Sequence, residues 1–216
     1  MPRDYRAGDY DHMMFQDDAV QPGTTYYYRV CALDTAGQRG PFSLEATVCT
    51  KAAAAAGEKV TAQSVYAPEY GPDNAIDGNP DPFAAWISKP YGGGTKEKPL
   101  DVWWAIEFPA GRKVRLRGVK IIGDDRLVIP LQRSLKVQVR EGADWKTVGE
   151  LKDATARTVT VAFSQVVAAE GLRVFVPAAD LPKSDRADVD GIVRICELLL
   201  ILPDGQESPG VPLPQP

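Results

Sequence analysis

SVYAPEYGPDNAIDGNPDPFAAWIS, residues Ser64 to Ser88, is the stretch on which the fold turns. Within it, the run from Asn74 to Asn79 packs a carboxylate, two amides and a glycine into six residues, with Pro80 and Pro82 following and Trp86 close behind. Carboxylate and carbonyl oxygens suit a hard cation such as Ca²⁺, and a glycine admits the tight turn that aims several of them inward. A tryptophan at that distance pins the loop to a core. The other reading of the same residues is an Asx-type turn in which Asp77 bonds its own backbone.

Working outward, the loop is preceded by a strand opening, VTAQSVYAP from Val60, and followed far downstream by an apolar run, IVRICELLLIL from Ile192 to Leu202. AIDGN, the following Trp-x-Ser and these two flanks together resemble the coagulation factor V/VIII type C, or discoidin, family, whose bacterial branch is the family 32 carbohydrate-binding modules. The resemblance spans Glu58 to Pro203. It implies an all-β fold, a galactose-binding-like jelly-roll β-sandwich.

The pattern of the chain agrees with that implication. Short apolar runs with turn punctuation predict strands at Val60–Val65, Asp101–Phe108, Val114–Ile122, Leu135–Arg140, Trp145–Leu151, Thr158–Phe163, Leu172–Val176 and Ile192–Leu202, with an irregularity at Gly118. No strongly amphipathic helix interrupts them, which favours an antiparallel sandwich. The 216 residues admit one large or two small domains, and 44% hydrophobic content argues against disorder as the reason for 19 Gly and 18 Pro. A net charge of −4 supplies no general attraction for nucleic acid or an anionic membrane. No stretch approaches the roughly 20 apolar residues of a membrane span, and the first residues lack the apolar core of a signal peptide.

Residues 1–50 read differently. After the Pro22-Gly23 turn, Tyr26, Tyr28, Val30 and Ala32 alternate with Tyr27, Arg29 and Cys31 as one half-buried strand; Asp34 to Pro41 reads as a hairpin loop, and Leu44 to Thr50 as a second strand. PGTTYYYRVCALDTAGQRGP resembles the last strands of a fibronectin type III domain. Such sandwiches take about 100 residues, so the resemblance implies a partial sandwich whose opening strands, and further domains, lie upstream in a longer protein. The alternatives are docking of this half-domain on the following one, or partial disorder. Residues 51–57, KAAAAAG, read as a linker because five alanines are too few for a stable isolated helix. Residues 204–216 read as a Pro-rich tail.

The discoidin resemblance also implies sites. Carried over by position, a structural calcium ion would be held by Asn74, Asp77 and Asn79 with Glu197 closing the cage. Glu197 carries a physical signal of its own, since an acid inside RICELLLIL is costly to bury unless paired or metal-bound. Ala84 departs from the family, which has a threonine two residues before the tryptophan. Sugar-binding members use loops at one end of the sandwich, where an aromatic face packs on a pyranose and charged groups meet its hydroxyls. The equivalent positions are Glu69, Tyr70, Tyr91, Asp125 and Arg126. Each has a bland reading: Tyr70 as a loop anchor, Tyr91 as a mobile loop residue, Arg126 as a solvated partner of Asp124 or Asp125. Ile87 stands where galactose-binding members carry histidine, which leaves the sugar undefined.

Trp103, Trp104 and Trp145, within or beside strands, are expected in the core, and Trp86 resembles the family's structural anchor and is expected to pack there as well. Cys31 and Cys49, on consecutive strands, are candidates for a disulfide, and Cys196 for a buried free thiol. Asp124-Asp125 and Asp188-Val189-Asp190 read as solvated or turn-forming acids. No nucleophile elbow, phosphate loop or metal-hydrolase histidine pair is present in the sequence, so catalysis is not expected. The function that the resemblance implies is a non-catalytic carbohydrate-binding module of a larger extracellular or cell-surface protein, a glycan-active enzyme. The alternative is a protein-interaction or spacer sandwich.

Overall fold

The computed structural model describes residues 17, 19–20, 24–49, 58–124, 134–152, 154, 156–184 and 190–208. The linker at 51–57 and the end of the tail from 209 lie outside them.

The first described unit is a kinked two-stranded ribbon. β1 (Thr25–Tyr28) pairs antiparallel with β4 (Ala46–Cys49), and β2 (Cys31–Leu33) with β3 (Arg39–Phe42). The break falls at Val30, whose carbonyl accepts from Ser43 N at 2.7 Å and whose N–H donates to Ser43 Oγ at 3.1 Å. This changes three sequence expectations. The predicted single strand is two, and part of the predicted hairpin loop is β3. The alternation expected to turn Val30 and Ala32 inward with Tyr26 and Tyr28 is lost, because Val30 is 71% exposed. Cys31 sits opposite Phe42 and Cys49 opposite Thr25, on different strand pairs, and Cys31 is a free thiol, so the Cys31–Cys49 disulfide is not formed.

From residue 58 the chain builds a sandwich of antiparallel sheets. Ordered β10-β9-β12-β7-β5, the first sheet joins β5 (Lys59–Ala62), β7 (Val102–Glu107), β9 (Leu135–Glu141), β10 (Asp144–Leu151) and β12 (Gly171–Val176). The second, ordered β11-β8-β14-β15, joins β8 (Val114–Ile122), β11 (Thr158–Ala169), β14 (Glu197–Ile201) and β15 (Glu207–Ser208). A short pair, β6 (Trp86–Ile87) with β13 (Arg194–Ile195), closes one end. The other regular elements among the described residues are short 3₁₀ turns, and no helix there is long and apolar enough to cross a membrane.

Alternation explains the core. Val102, Trp104 and Ile106, with Val137, Val139, Leu172 and Val174, turn inward from the first sheet to meet Leu116, Val119, Ile121, Leu198 and Leu200 of the second. The residues between them point to the opposite face of each sheet. Trp103 and Trp145 are therefore on the solvent side of the first sheet, half-buried, which corrects their expected place in the core; Trp86 and Trp104 are fully buried.

Two further differences follow from pairing. The irregularity expected at Gly118 lies in its partner: β11 jumps register between Ala162 and Val167, where a Cβ on Gly118 would come within 2.6 Å of the Val161 carbonyl. The last predicted strand is split at Cys196, whose N–H bonds Ile122 O, and β15 adds a hairpin that carries the sheet into the stretch read as tail.

Candidate functional site

The loops between β5 and β7 form one end of the sandwich, and two buried indoles hold them. Trp104 donates from Nε1 to Pro72 O at 2.8 Å, and Trp86 from Nε1 to Ser64 O at 3.2 Å. Each indole thus places a ring in the core and fixes a turn at its rim. Asn74 completes the scaffold: its Nδ2 donates to Glu69 O at 2.7 Å and to Ala85 O at 3.3 Å, tying the 68–70 turn to the strand entry before Trp86.

Glu69 and Tyr70 are brought together in that 3₁₀ turn. Glu69 is exposed, whereas Tyr70 packs against the small cluster of Ala85, Ile87, Ile192 and Cys196. Tyr66 lies edge-on to Tyr70, with ring centroids 6.2 Å apart, and is 51% exposed. Phe83, in the 82–84 turn, is 74% exposed. Sequence reasoning missed Tyr66 and Phe83. Their signal was present in part, as aromatic residues in proline-punctuated turns flanking AIDGN.

AIDGN itself is shaped by a relay of short turns. Asp77 Oδ1 accepts from Asn79 N at 2.8 Å, Asn79 Oδ1 from Asp81 N at 3.1 Å, and Asp81 Oδ1 from Phe83 N at 2.8 Å. The internally bonded turn weighed for Asp77 is thus present. Glu197 is 2% exposed on β14, the strand that packs under the 72–76 turn. The donors gathered here are all oxygens, which fits a hard cation and not a soft one. Among the described residues no group of three His, Cys, Asp or Glu converges, so a cation at this loop would draw on amide and main-chain oxygens beside the two carboxylates.

Tyr91 lies in the 90–93 turn of the same loops and is tied to the chain around Gly191. Its backbone is left-handed, φ 51°, its N–H donates to Gly191 O at 2.9 Å, and its hydroxyl donates to Asp190 Oδ2 at 2.5 Å. Asp190, expected to be solvated, is 4% exposed and also accepts from Ser184 N at 3.0 Å and pairs with Lys96 at 3.1 Å. The Tyr91 hydroxyl, first, and the Ser184 N–H hold the Asp190 carboxyl down to about 2. These residues line a cleft of about 470 Å³ together with Pro99, Leu181 and Lys183.

Asp125 and Arg126 lie outside the described residues. Their neighbour Asp124 is 6% exposed and paired with Arg194. Arg157 links the same region to the AIDGN side, donating from Nε to Gly123 O at 3.2 Å and from Nη2 to Pro80 O at 3.4 Å. The roots of the two loops are thereby joined.

Residues 59–198 match the family model described as F5/8 type C domain. The chain belongs to this family. Among solved structures, the F5/8 type C chain is similar to the family 32 carbohydrate-binding module of C. perfringens NanJ in complex with galactose, at 17% identity and a TM-score of 0.52 over 67% of this chain and 93% of that one. It is also similar to chitosan-binding module 2 of a chitosanase/glucanase from Paenibacillus sp. IK-5 in complex with chitotriose, at 18% identity and a TM-score of 0.49 over 67% and 95%. A third is an F5/8 type C domain from Bacteroides fragilis, at 18% identity and a TM-score of 0.49 over 72% and 94%. No curated protein matches the chain.

Proposed function

We propose that this F5/8 type C domain is a non-catalytic carbohydrate-binding module and that its sugar site is the rim built by Tyr66, Glu69, Tyr70 and Phe83. The observation that carries this reading is the pairing of exposed aromatic surface with an exposed carboxylate on turns fixed from below by Trp86, Trp104 and Asn74. An exposed ring offers the apolar face on which a pyranose stacks, and a carboxylate accepts from its hydroxyls. A site on rigid turns costs little ordering when the ligand arrives. Asp125 and Arg126, in the loop rooted at Asp124, belong to the same proposal as polar partners, and Tyr91 takes a supporting place through Asp190.

Calcium is part of the same proposal as a structural ion. Asn74, Asp77 and Asn79 would hold it from the loop and Glu197 from β14, adding rigidity to the rim without activating water. The module would belong to a larger extracellular or cell-surface protein, with the 24–49 ribbon as the end of a preceding fibronectin type III domain.

The test is a glycan array probed with the full chain, with calcium and again with a chelator. Selective capture of one sugar class, reduced at least tenfold by Tyr66→Ala or Glu69→Gln, supports the reading. A blank array from folded protein counts against it and favours a protein-contact or spacer role.

A further inference from the structure

The outward side of the five-stranded sheet carries a second polar-aromatic arrangement, away from the loops. Arg173 on β12 has its guanidinium carbon 4.6 Å from the Trp145 ring centroid and 5.2 Å from that of Phe175. Its Nε donates to Gln138 Oε1 at 2.8 Å, and Gln138 in turn donates to Thr147 Oγ1 at 3.2 Å. Two rings and one amide therefore fix the guanidinium plane. Among the described residues it has no carboxylate partner, and its terminal nitrogens donate to none of them.

This is an unusual state for an arginine. Burial pushes its pKa down, and the two rings, which attract the cation, meet only part of that desolvation cost. An anion arriving in the guanidinium plane would relieve that cost, and the planar fork matches a carboxylate two oxygens to two nitrogens.

Cations outnumber carboxylates around it. By register, Lys59, Lys136 and Arg140 share this face with Arg173, against Glu107 and Glu150. Arg140 is bonded to Glu107 at 2.6 Å and Lys136 lies 4.0 Å from Glu150, which leaves a cationic surplus on one face of a chain whose net charge is −4. Trp103, directly across from Phe175 on β7 and half-buried, adds apolar surface to the same sheet face.

We propose that this sheet face binds an acidic polysaccharide, with the carboxylate of a uronic acid residue on Arg173 and the sugar ring against Trp103. The proposal rests on the carbohydrate-binding reading but on a different surface from its rim. The polymer is identified by its chemistry, a planar carboxylate on a ring with apolar faces.

The experiment is affinity electrophoresis of the full chain in gels containing polygalacturonate, dextran or polyglutamate. Retardation by polygalacturonate and not by dextran is expected, with Arg173→Gln weakening it by roughly tenfold or more at an unchanged circular dichroism spectrum. Arg173→Lys should restore only part, since it keeps the charge and loses the fork. Tyr66→Ala should leave this binding intact, which separates it from the rim: loss of neutral-glycan capture on the array would sink the rim alone. Failure of polygalacturonate to retard the wild type, or equal retardation of Arg173→Gln, overturns the proposal. Equal retention by polyglutamate also overturns it, because the face would then recognise acidic polypeptide as well.

Discussion

The Tyr91 hydroxyl donates to the buried carboxylate of Asp190 at 2.5 Å, joining two loops 99 positions apart in the chain. Lys96 and the Ser184 N–H complete the shell around that carboxylate, and the Tyr91 N–H to Gly191 O bond doubles the link. The end of the sandwich is thus held by a polar clasp as well as by its indoles.

This clasp predicts an acid-sensitive contribution to stability. Asp190 titrates at about 2 in the folded protein against an ordinary 3.8, so its contribution is complete above pH ~4 and is lost as the pH falls toward ~2. Tyr91 and Lys96 are shifted upward by the same contacts and stay protonated at neutral pH. Thermal melts should show Tyr91→Phe less stable than wild type at pH 7, with the gap narrowing between pH ~4 and ~2. Parallel profiles would show that the hydroxyl has no part in holding Asp190.

Gly191 is predicted to be irreplaceable. Its φ is +68°, and a Cβ added there would lie 2.4 Å from Tyr91 Cδ1 and 2.9 Å from Tyr91 N. The left-handed backbone alone costs about 1–2 kcal/mol for an L residue, and the clash adds to it. Gly191→Ala should lower the urea midpoint accordingly, whereas Gly111→Ala, with φ +77° and open space around it, should show the backbone cost only.

How much of this was legible in the sequence depends on separation along the chain. AIDGN with Trp86 could be read because its parts are close together and few loops need that composition. Strand positions from Val102 to Val176 could be read because alternation is a local property. The choice between Trp103 and Trp104 was not local: adjacent residues point to opposite faces, and only the pairing of β7 with β5 and β12 decides which ring is buried. Asp190 looked solvated because it sits in a polar loop and its principal partner is remote. Cys31 and Cys49 looked adjacent because they fall on neighbouring runs, but register is not local: Cys49 lies opposite Thr25, six residues before Cys31.

Cys196 offers a check on the core. Burial, with the nearby Asp124 carboxylate second, pushes its thiol up to about 11. In a Cys31→Ser, Cys49→Ser variant, the remaining thiol should be silent to a disulfide reagent at pH 8 and react fully on adding denaturant. Rapid labelling of the native variant would mean that the β13–β14 junction opens.

The most direct test of the sugar-binding rim is ¹H–¹⁵N chemical-shift mapping of the full chain titrated with galactose, N-acetylgalactosamine and chitotriose in turn. The account predicts that the ligand that binds moves amides clustered at 66–70 and 82–85, with saturable shifts that vanish in Tyr66→Ala. Saturable shifts confined to residues outside that rim, or none with any of the three sugars, would contradict it for these ligands.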